Sequence, residues 1–313
     1  MLELLKHITN FQGLAMAANS TFTPKYSKIC QTILGNGMDK LDLTWIHGAP
    51  AMRKHVGAKK HFTPIEVSAE YLADDWENTM DVHLRDLKFG RITRYEQLSK
   101  GIGYKGAAAP DLAVKAALLA GSATKCWDGQ YFFDTDHPIK GGVQSNTITA
   151  SGTSLVNFQN VVKAVWPRMR KFVVGRVDAE DIQTFGQAPD TVVCPAALEF
   201  TMRTLFSPET DYLSGTAVQN LCKNLIKQEN IIVDSDLDGT DANDVFFFNT
   251  EGGDNPDAQA IIIHDVEPFE LITYGLNELS EKRFEEKIVS ISGERTFQVI
   301  YGAYWRAIRA TQS

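Results

Sequence analysis

The sequence predicts an α+β fold. Apolar residues recur at helical spacing in some segments and alternate with polar residues in others. The two kinds of segment are mixed along the chain with no regular βαβ period, no internal repeat and no low-complexity tract.

Residues 1–20 place Leu2, Leu5, Ile8 and Phe11 on one side of a short helix. Residues 20–55 are mixed, with turn signals at Gly35-Asn36-Gly37 and Gly48-Ala49-Pro50. Ile65, Val67, Ala69 and Tyr71 then alternate with Glu66, Ser68 and Glu70, and Met80, Val82 and Leu84 with Asp81, His83 and Arg85. Joined at Ala73-Asp74-Asp75, these runs predict a long β-hairpin. It has too little apolar surface to fold alone, so it reaches toward something outside itself. From Arg91 to Leu119 the pattern is helical, and Gly101, Gly103, Gly106 and Pro110 predict a bent or broken helix. An aromatic loop, WDGQYFFDTDHP, starts at Trp127. Next come a helix that Pro167 should end or kink, a buried strand TVVCP from Thr191, and a helix striped by Leu198, Met202 and Leu205. Two strands around a polar loop follow in ENIIVDSDLDGTDANDVFFFNT, then strands at AQAIIIHDV, EEKIVSISG and TFQVIYGAYW.

Composition narrows the function classes. The chain has 313 residues, 43% hydrophobic and 22% charged, with a formal net charge of −8 at pH 7. These values exclude wholesale disorder, collagen-like or coiled-coil rods, and a broad basic face that grips nucleic acid. The length predicts two domains, or one with large extensions. Cys30, Cys126, Cys194 and Cys222 form no Cys-x-x-Cys pair and read as small buried hydrophobes in a reducing compartment. No uncharged apolar run is long enough to span a bilayer, and the N-terminal segment lacks the apolar stretch of a secretory leader. The expectation is a soluble protein with no membrane partner.

Three motifs resemble binding sites. Gly101-Ile102-Gly103-Tyr104-Lys105-Gly106 matches G-x-G-x-x-G, but a polar helical segment leads into it where a dinucleotide site needs a buried strand. Asp234-Ser235-Asp236-Leu237-Asp238-Gly239 matches half of a calcium loop, yet Val245 stands where the bidentate Glu is needed and the flanks are strand-like. Asp134, Asp136 and His137 bring two carboxylates and an imidazole together, without a second ligand cluster or a nucleophile elbow. The reading is therefore no catalytic, cofactor-binding or metal-binding residues, with a metal-dependent enzyme on Asp134, Asp136 and His137 as the less favoured alternative.

The loop from Trp127 resembles the D-G-x-x-F-F-x-x-x-H-P signature of the major head subunit of Mu-like phages and prophages, the gene product T family. Asp128, Gly129, Phe132, Phe133, His137 and Pro138 carry the match. His55-Val56-Gly57 with Lys59, the run TMDVHLRDL, the helix DLAVKAALLAGSATKC and the segment APDTVVCPAALEFTMRTLF resemble other parts of that family in the same order. One departure is Leu87-Lys88-Phe89-Gly90-Arg91, where the family carries an acidic step.

The resemblance implies a Hong Kong 97-type capsid subunit. The N-terminal arm and lead-in would be residues 1–54, an extended loop 55–86, and a peripheral domain with its spine helix 87–150. An axial domain would occupy 151–265, and residues 266–313 would return to the peripheral domain. It implies a structural loop at Asp128, Gly129, Phe132, Phe133, Asp136, His137 and Pro138. It also implies inter-subunit contacts through Lys59, Lys60, Phe62, Ile65, Val67, Tyr71 and Trp76. The implied function is a virion shell of hexamers and pentamers around double-stranded DNA, made in the bacterial host cytoplasm. Portal, scaffold or protease, and decoration proteins would be further partners, and no cofactor is implied. The acidic balance suits a wall that encloses DNA without binding it tightly. An encapsulin-like compartment is the alternative within the same fold.

Overall fold

A computed structural model describes residues 2–46, 66–139, 142–173, 184, 186–207, 222–239, 243–251, 259–277 and 280–312. Helix α1 (Leu2–Thr21) buries Ile8, Phe11 and Ala15 on one side, while Leu5 of the expected stripe is 41% exposed. Strand β1 (Cys30–Leu34) follows and turns at Gly35–Met38, where Asn36 and Gly37 take positive φ. Strands β2 (Lys40–Ile46) and β3 (Glu66–Leu72) form an antiparallel two-stranded ribbon. Strand β4 (Asp74–His83) comes directly after it.

The two alternating runs expected to pair with each other do not. Strand β3 pairs with β2, whose Leu41 and Leu43 pack with Ala69 and Tyr71 against the core. Strand β4 runs along a different partner, because its buried Met80 and Val82 belong to the apolar cluster under helices α1 and α3. The β2–β3 ribbon thus starts at Lys40, before the bound of 55 expected for the extended loop. Its second half lies in a sheet, and Leu84 begins the short helix α2 (Leu84–Lys88) instead of ending a strand.

Helix α3 (Thr93–Ala120) is continuous through Gly101, Gly103, Gly106 and Pro110, where a bend or break was expected. Two of those glycines are needed for close packing. A Cβ at Gly103 would lie 1.8 Å from the carbonyl oxygen of Ala15 in α1, and one at Gly106 would lie 2.2 Å from the ring of Phe269. The glycine run is the seat of α1 and of a sheet residue, which leaves no room for a pyrophosphate.

Short strands β5 (His137–Ile139), β6 (Gly142–Gln144) and β7 (Thr147–Ala150) lead to helix α4 (Leu155–Arg170). Ser154 caps α4 by accepting from the Asn157 N–H. Pro167 lies inside this helix, near its C-terminal end, and does not terminate it. The fully buried strand β8 (Thr191–Pro195) precedes helix α5 (Glu199–Leu205). Strands β9 (Ile231–Asp234) and β10 (Val245–Phe248) are the expected two around a polar loop, but they do not pair with each other: both flank β8, β9 parallel to it and β10 antiparallel. Two long strands follow, β11 (Ile261–Tyr274) and β12 (Ile288–Tyr301), joined through helix α6 (Glu281–Glu285); β13 (Ala307–Gln312) comes last. The tail runs expected as separate strands are one strand, β12.

The four-stranded sheet has the order β1-β11-β12-β4, and the five-stranded sheet the order β7-β13-β10-β8-β9. The chain crosses between them at residues 302–306. The segment 266–313 is therefore divided: β12 lies in one sheet and β13 in the middle of the other. β7, inside the 87–150 segment, also joins the five-stranded sheet. One apolar core, including Phe132, Phe133, Phe246, Phe297 and Tyr301, runs beneath both sheets.

Candidate functional site

The aromatic loop sits where the chain crosses from sheet to sheet. The indole N–H of Trp127 donates to the Gly302 carbonyl at 2.9 Å. Phe132 stacks on Tyr301 with centroids 4.6 Å apart, Phe133 meets Phe132 edge-on at 4.8 Å, and Phe133 also contacts Phe246 of β10. The backbone supports this: the Phe133 N–H donates to the Gly121 carbonyl at 2.8 Å and the Phe132 N–H to Thr124 at 3.2 Å. Gly129 turns the loop at φ +88°, a conformation that favours glycine.

His137 is fully buried and its Nδ1 lies 2.6 Å from Oδ2 of Asp128, whose side chain is 6% exposed. The ring stacks flat on Tyr304. Asp128 Oδ1 also accepts from the Gln130 N–H at 3.1 Å, so the carboxylate fixes both ends of the loop. Pro138 follows in β5. Asp134 and Asp136 lie toward solvent as a hydrogen-bonded pair. The hydrogen bond with Asp134 and residual burial push the Asp136 carboxyl up. Burial also works to raise Asp134, but the Thr135 N–H and Asp136 outweigh it and hold that carboxyl below its usual range. The imidazole is thus brought to Asp128 and Tyr304 and not to a solvent-facing metal cluster. Among the described residues no three His, Cys, Asp or Glu side chains converge as a metal-binding set.

The sequence did not single out Asn146, Gly302 and Tyr304. Buried Asn146 accepts from the Asp134 N–H at 2.8 Å and donates to the Phe132 carbonyl at 2.7 Å, closing the loop from behind. Gln144 donates to the Tyr304 hydroxyl at 2.8 Å. The aromatic cluster Tyr301, Tyr304 and Trp305 around Gly302 was the available signal.

The acidic run at Asp234 is used internally. Asp234 accepts from the Tyr26 hydroxyl at 2.6 Å, Asp236 pairs with Lys115 at 2.6 Å, and Asp238 accepts from the Ala197 N–H at 3.0 Å. Among the predicted inter-subunit residues, Lys59, Lys60, Phe62 and Ile65 lie outside the described residues, and Val67 lies in β3. Tyr71 packs against its own core and burial pushes its phenol up to about 12. Trp76 is 43% exposed on β4, its ring stacked on Phe297 at 5.1 Å.

A family model described as the Mu-like prophage major head subunit gpT matches residues 6–185, more than half of the chain. The chain belongs to that family. Among curated proteins, the Mu-like prophage FluMu major head subunit of Haemophilus influenzae is 28% identical over 135 residues, 43% of this chain and 42% of the relative. The aligned region spans less than half the length of the curated relatives. Among solved structures, the procapsid of bacteriophage JBD30 aligns with 100% of this chain and 75% of its own, at 18% identity and TM-score 0.56. A virus-like particle from Pyrococcus furiosus aligns over 96% of this chain and 97% of its own, at 10% identity and TM-score 0.54. The gpT-family chain therefore has the fold of tailed-phage capsid subunits, the Hong Kong 97 type.

Proposed function

We propose that many copies of this chain assemble, as hexamers and pentamers, into the icosahedral head shell that encloses phage double-stranded DNA. The role is structural and not catalytic. The observation that carries it is the alignment with a procapsid subunit over the whole chain, together with membership of the gpT family. In this reading the loop Asp128–Pro138 is a structural clamp, and Lys59, Lys60, Phe62, Ile65, Val67 and Trp76 face neighbouring copies. Tyr71 orients the ribbon from its root. The subunit is made in the host cytoplasm and ends in the virion, with portal, scaffold or protease, and decoration proteins as further partners.

A second reading is an encapsulin-like compartment around a protein cargo, supported by the likeness to the virus-like particle. The gpT-family sequence match favours the phage head. Electron microscopy and sedimentation of the purified chain test the proposal. Closed particles or capsomers are expected, while a monodisperse monomer at all concentrations overturns it. Copurified protein of fixed stoichiometry inside the particles would favour the compartment.

A further inference from the structure

His264 is almost wholly buried on β11, and its Nδ1 has no hydrogen-bond partner among the described residues. Gln298 of β12 stands directly opposite in the antiparallel register, and its Oε1 is also buried without a partner. Side chains opposed in this way share one face of the sheet, with Cβ atoms about 5 Å apart. Two orphaned polar atoms on neighbouring strands cost stability until a proton joins them. The other ring nitrogen is wedged against the backbone: a Cβ at Gly35 would lie 2.6 Å from His264 Nε2. Any turn of the imidazole toward Gln298 thus disturbs its seat on Gly35.

Gly35 opens the turn that roots the β2–β3 ribbon. The Gly35 N–H donates to the Asp265 carbonyl at 2.8 Å, the Met38 N–H to Gly35 at 2.9 Å, and the Gly37 N–H to Val266 at 3.4 Å. Asn36 and Gly37 hold φ of +48° and +80°. The Ala73 N–H closes the ribbon base on the Asp39 carbonyl at 2.9 Å. On the other side, the β11–β12 register shifts between Asp265 and Glu267. A left-handed turn and a strand irregularity, both places where a chain changes direction, meet beside one buried ring.

Few charges surround that ring. Asp265 follows it on β11 and pairs with Arg295 of β12 at 2.8 Å. Asp39 acts on it from the start of the ribbon, and β1 brings no charge. The two carboxylates favour the imidazolium, but burial outweighs them and holds the group below its ordinary value of 6.5.

We propose that His264 is a proton-operated pivot for the β2–β3 ribbon. A neutral imidazole has one N–H and an imidazolium two, so protonation ensures a hydrogen on Nδ1. The ring turns to donate it to Gln298 Oε1, Nε2 leaves Gly35, and the Gly35–Met38 turn releases. The ribbon base is fixed at neutral pH and free to re-aim in mild acid. The device lies within one chain and does not depend on assembly into a shell.

Amide hydrogen exchange of the full chain between about pH 7.5 and pH 5, corrected for the intrinsic effect of pH on exchange, reads the pivot. NMR of ¹³C-histidine-labelled chain follows the His264 ring in parallel. The Gly35, Gly37, Met38 and Ala73 amides should lose protection by up to about tenfold for each pH unit below the titration of His264. Interior amides of α4 should keep theirs. His264→Gln should abolish the pH dependence. Gln298→Met removes the acceptor, and Asp39→Asn, at an exposed position, removes one carboxylate that favours the imidazolium. Both should move the loss to lower pH. A ring that stays neutral to about pH 5 overturns the proposal, as does protection that persists while the ring titrates. So does an equal loss in α4, or a pH dependence that survives His264→Gln. If His264→Gln does not fold, Asp39→Asn decides: an unshifted transition overturns the pivot.

Discussion

The imidazole of His137 lies against the phenol ring of Tyr304 with centroids 3.8 Å apart and planes 2° from parallel. One ring belongs to the signature loop and the other to the crossing between sheets. The stack, together with the Asp128 bond, ties the loop to the segment where the backbone passes between the two sheets.

His137→Ala removes that stack and leaves the Asp128 carboxylate buried with one partner fewer. A loss of about 2–4 kcal/mol is expected in denaturant unfolding, from the unpaired buried acceptor and the cavity together. Asp128→Asn keeps an acceptor for the imidazole and should cost about 1 kcal/mol. Equal losses for the two would place the effect in the hydrogen bond, which both variants disturb, and not in the ring stack, which Asp128→Asn keeps.

Three glycines of helix α3 make a matched experiment. A Cβ at Gly101 would meet nothing within 4 Å, so Gly101→Ala should stabilise by roughly 0.5–1 kcal/mol through helix propensity. Gly103→Ala drives the new methyl into the backbone of α1, and Gly106→Ala drives it into Phe269. Both should destabilise by about 1–3 kcal/mol. Thermal unfolding of the three variants checks the opposite signs.

Acid should weaken the subunit in an ordered way. Burial holds the His264 imidazole below its ordinary value of 6.5, against the pull of Asp265 and Asp39. The unfolded chain therefore takes up a proton first as pH falls through about 6.5, and stability declines from there. The bond from Ser290, with help from Lys282, holds the Asp81 carboxyl below its ordinary value of 3.8. Its contribution is present above that value and is lost at lower pH. Stability measured against pH should flatten just below about 6.5 in His264→Gln. An unchanged slope in that variant would remove His264 as the source.

Particles should melt well above dissociated subunits, because association stabilises only the folded chain. Calorimetry on both states reads the difference. Equal midpoints would mean that the lattice adds nothing to the fold.

Local pattern was legible wherever a single element decided it. The stripe in α1, the buried strand Thr191–Pro195 and the length of α3 followed from periodicity. Strand partnership was not legible. The alternation in Glu66–Leu72 and in Asp74–His83 is equally good for a hairpin, and only the burial of Met80 and Val82 under α1 and α3 separates the strands. The glycines of α3 read as breaks because their partners, Ala15 and Phe269, are remote in sequence. The loop at Asp128 was visible as a motif, but its dependence on Asn146 and Tyr304 was hidden in residues without a pattern of their own.

The placement of β12 and β13 also sets a clock. Each is an interior strand of its sheet, and both come from residues 288–312. A nascent chain that has not yet released those residues from the ribosome has β11 without β4 beside it, and β10 without β7. Both sheets can then close only once residues 288–312 have emerged, nearly together, through contacts between distant parts of the chain, which is slow folding. Such a chain offers neighbours no finished surface while it is being translated. Under the proposed shell reading, a lattice could then grow only from chains whose last two strands have left the ribosome.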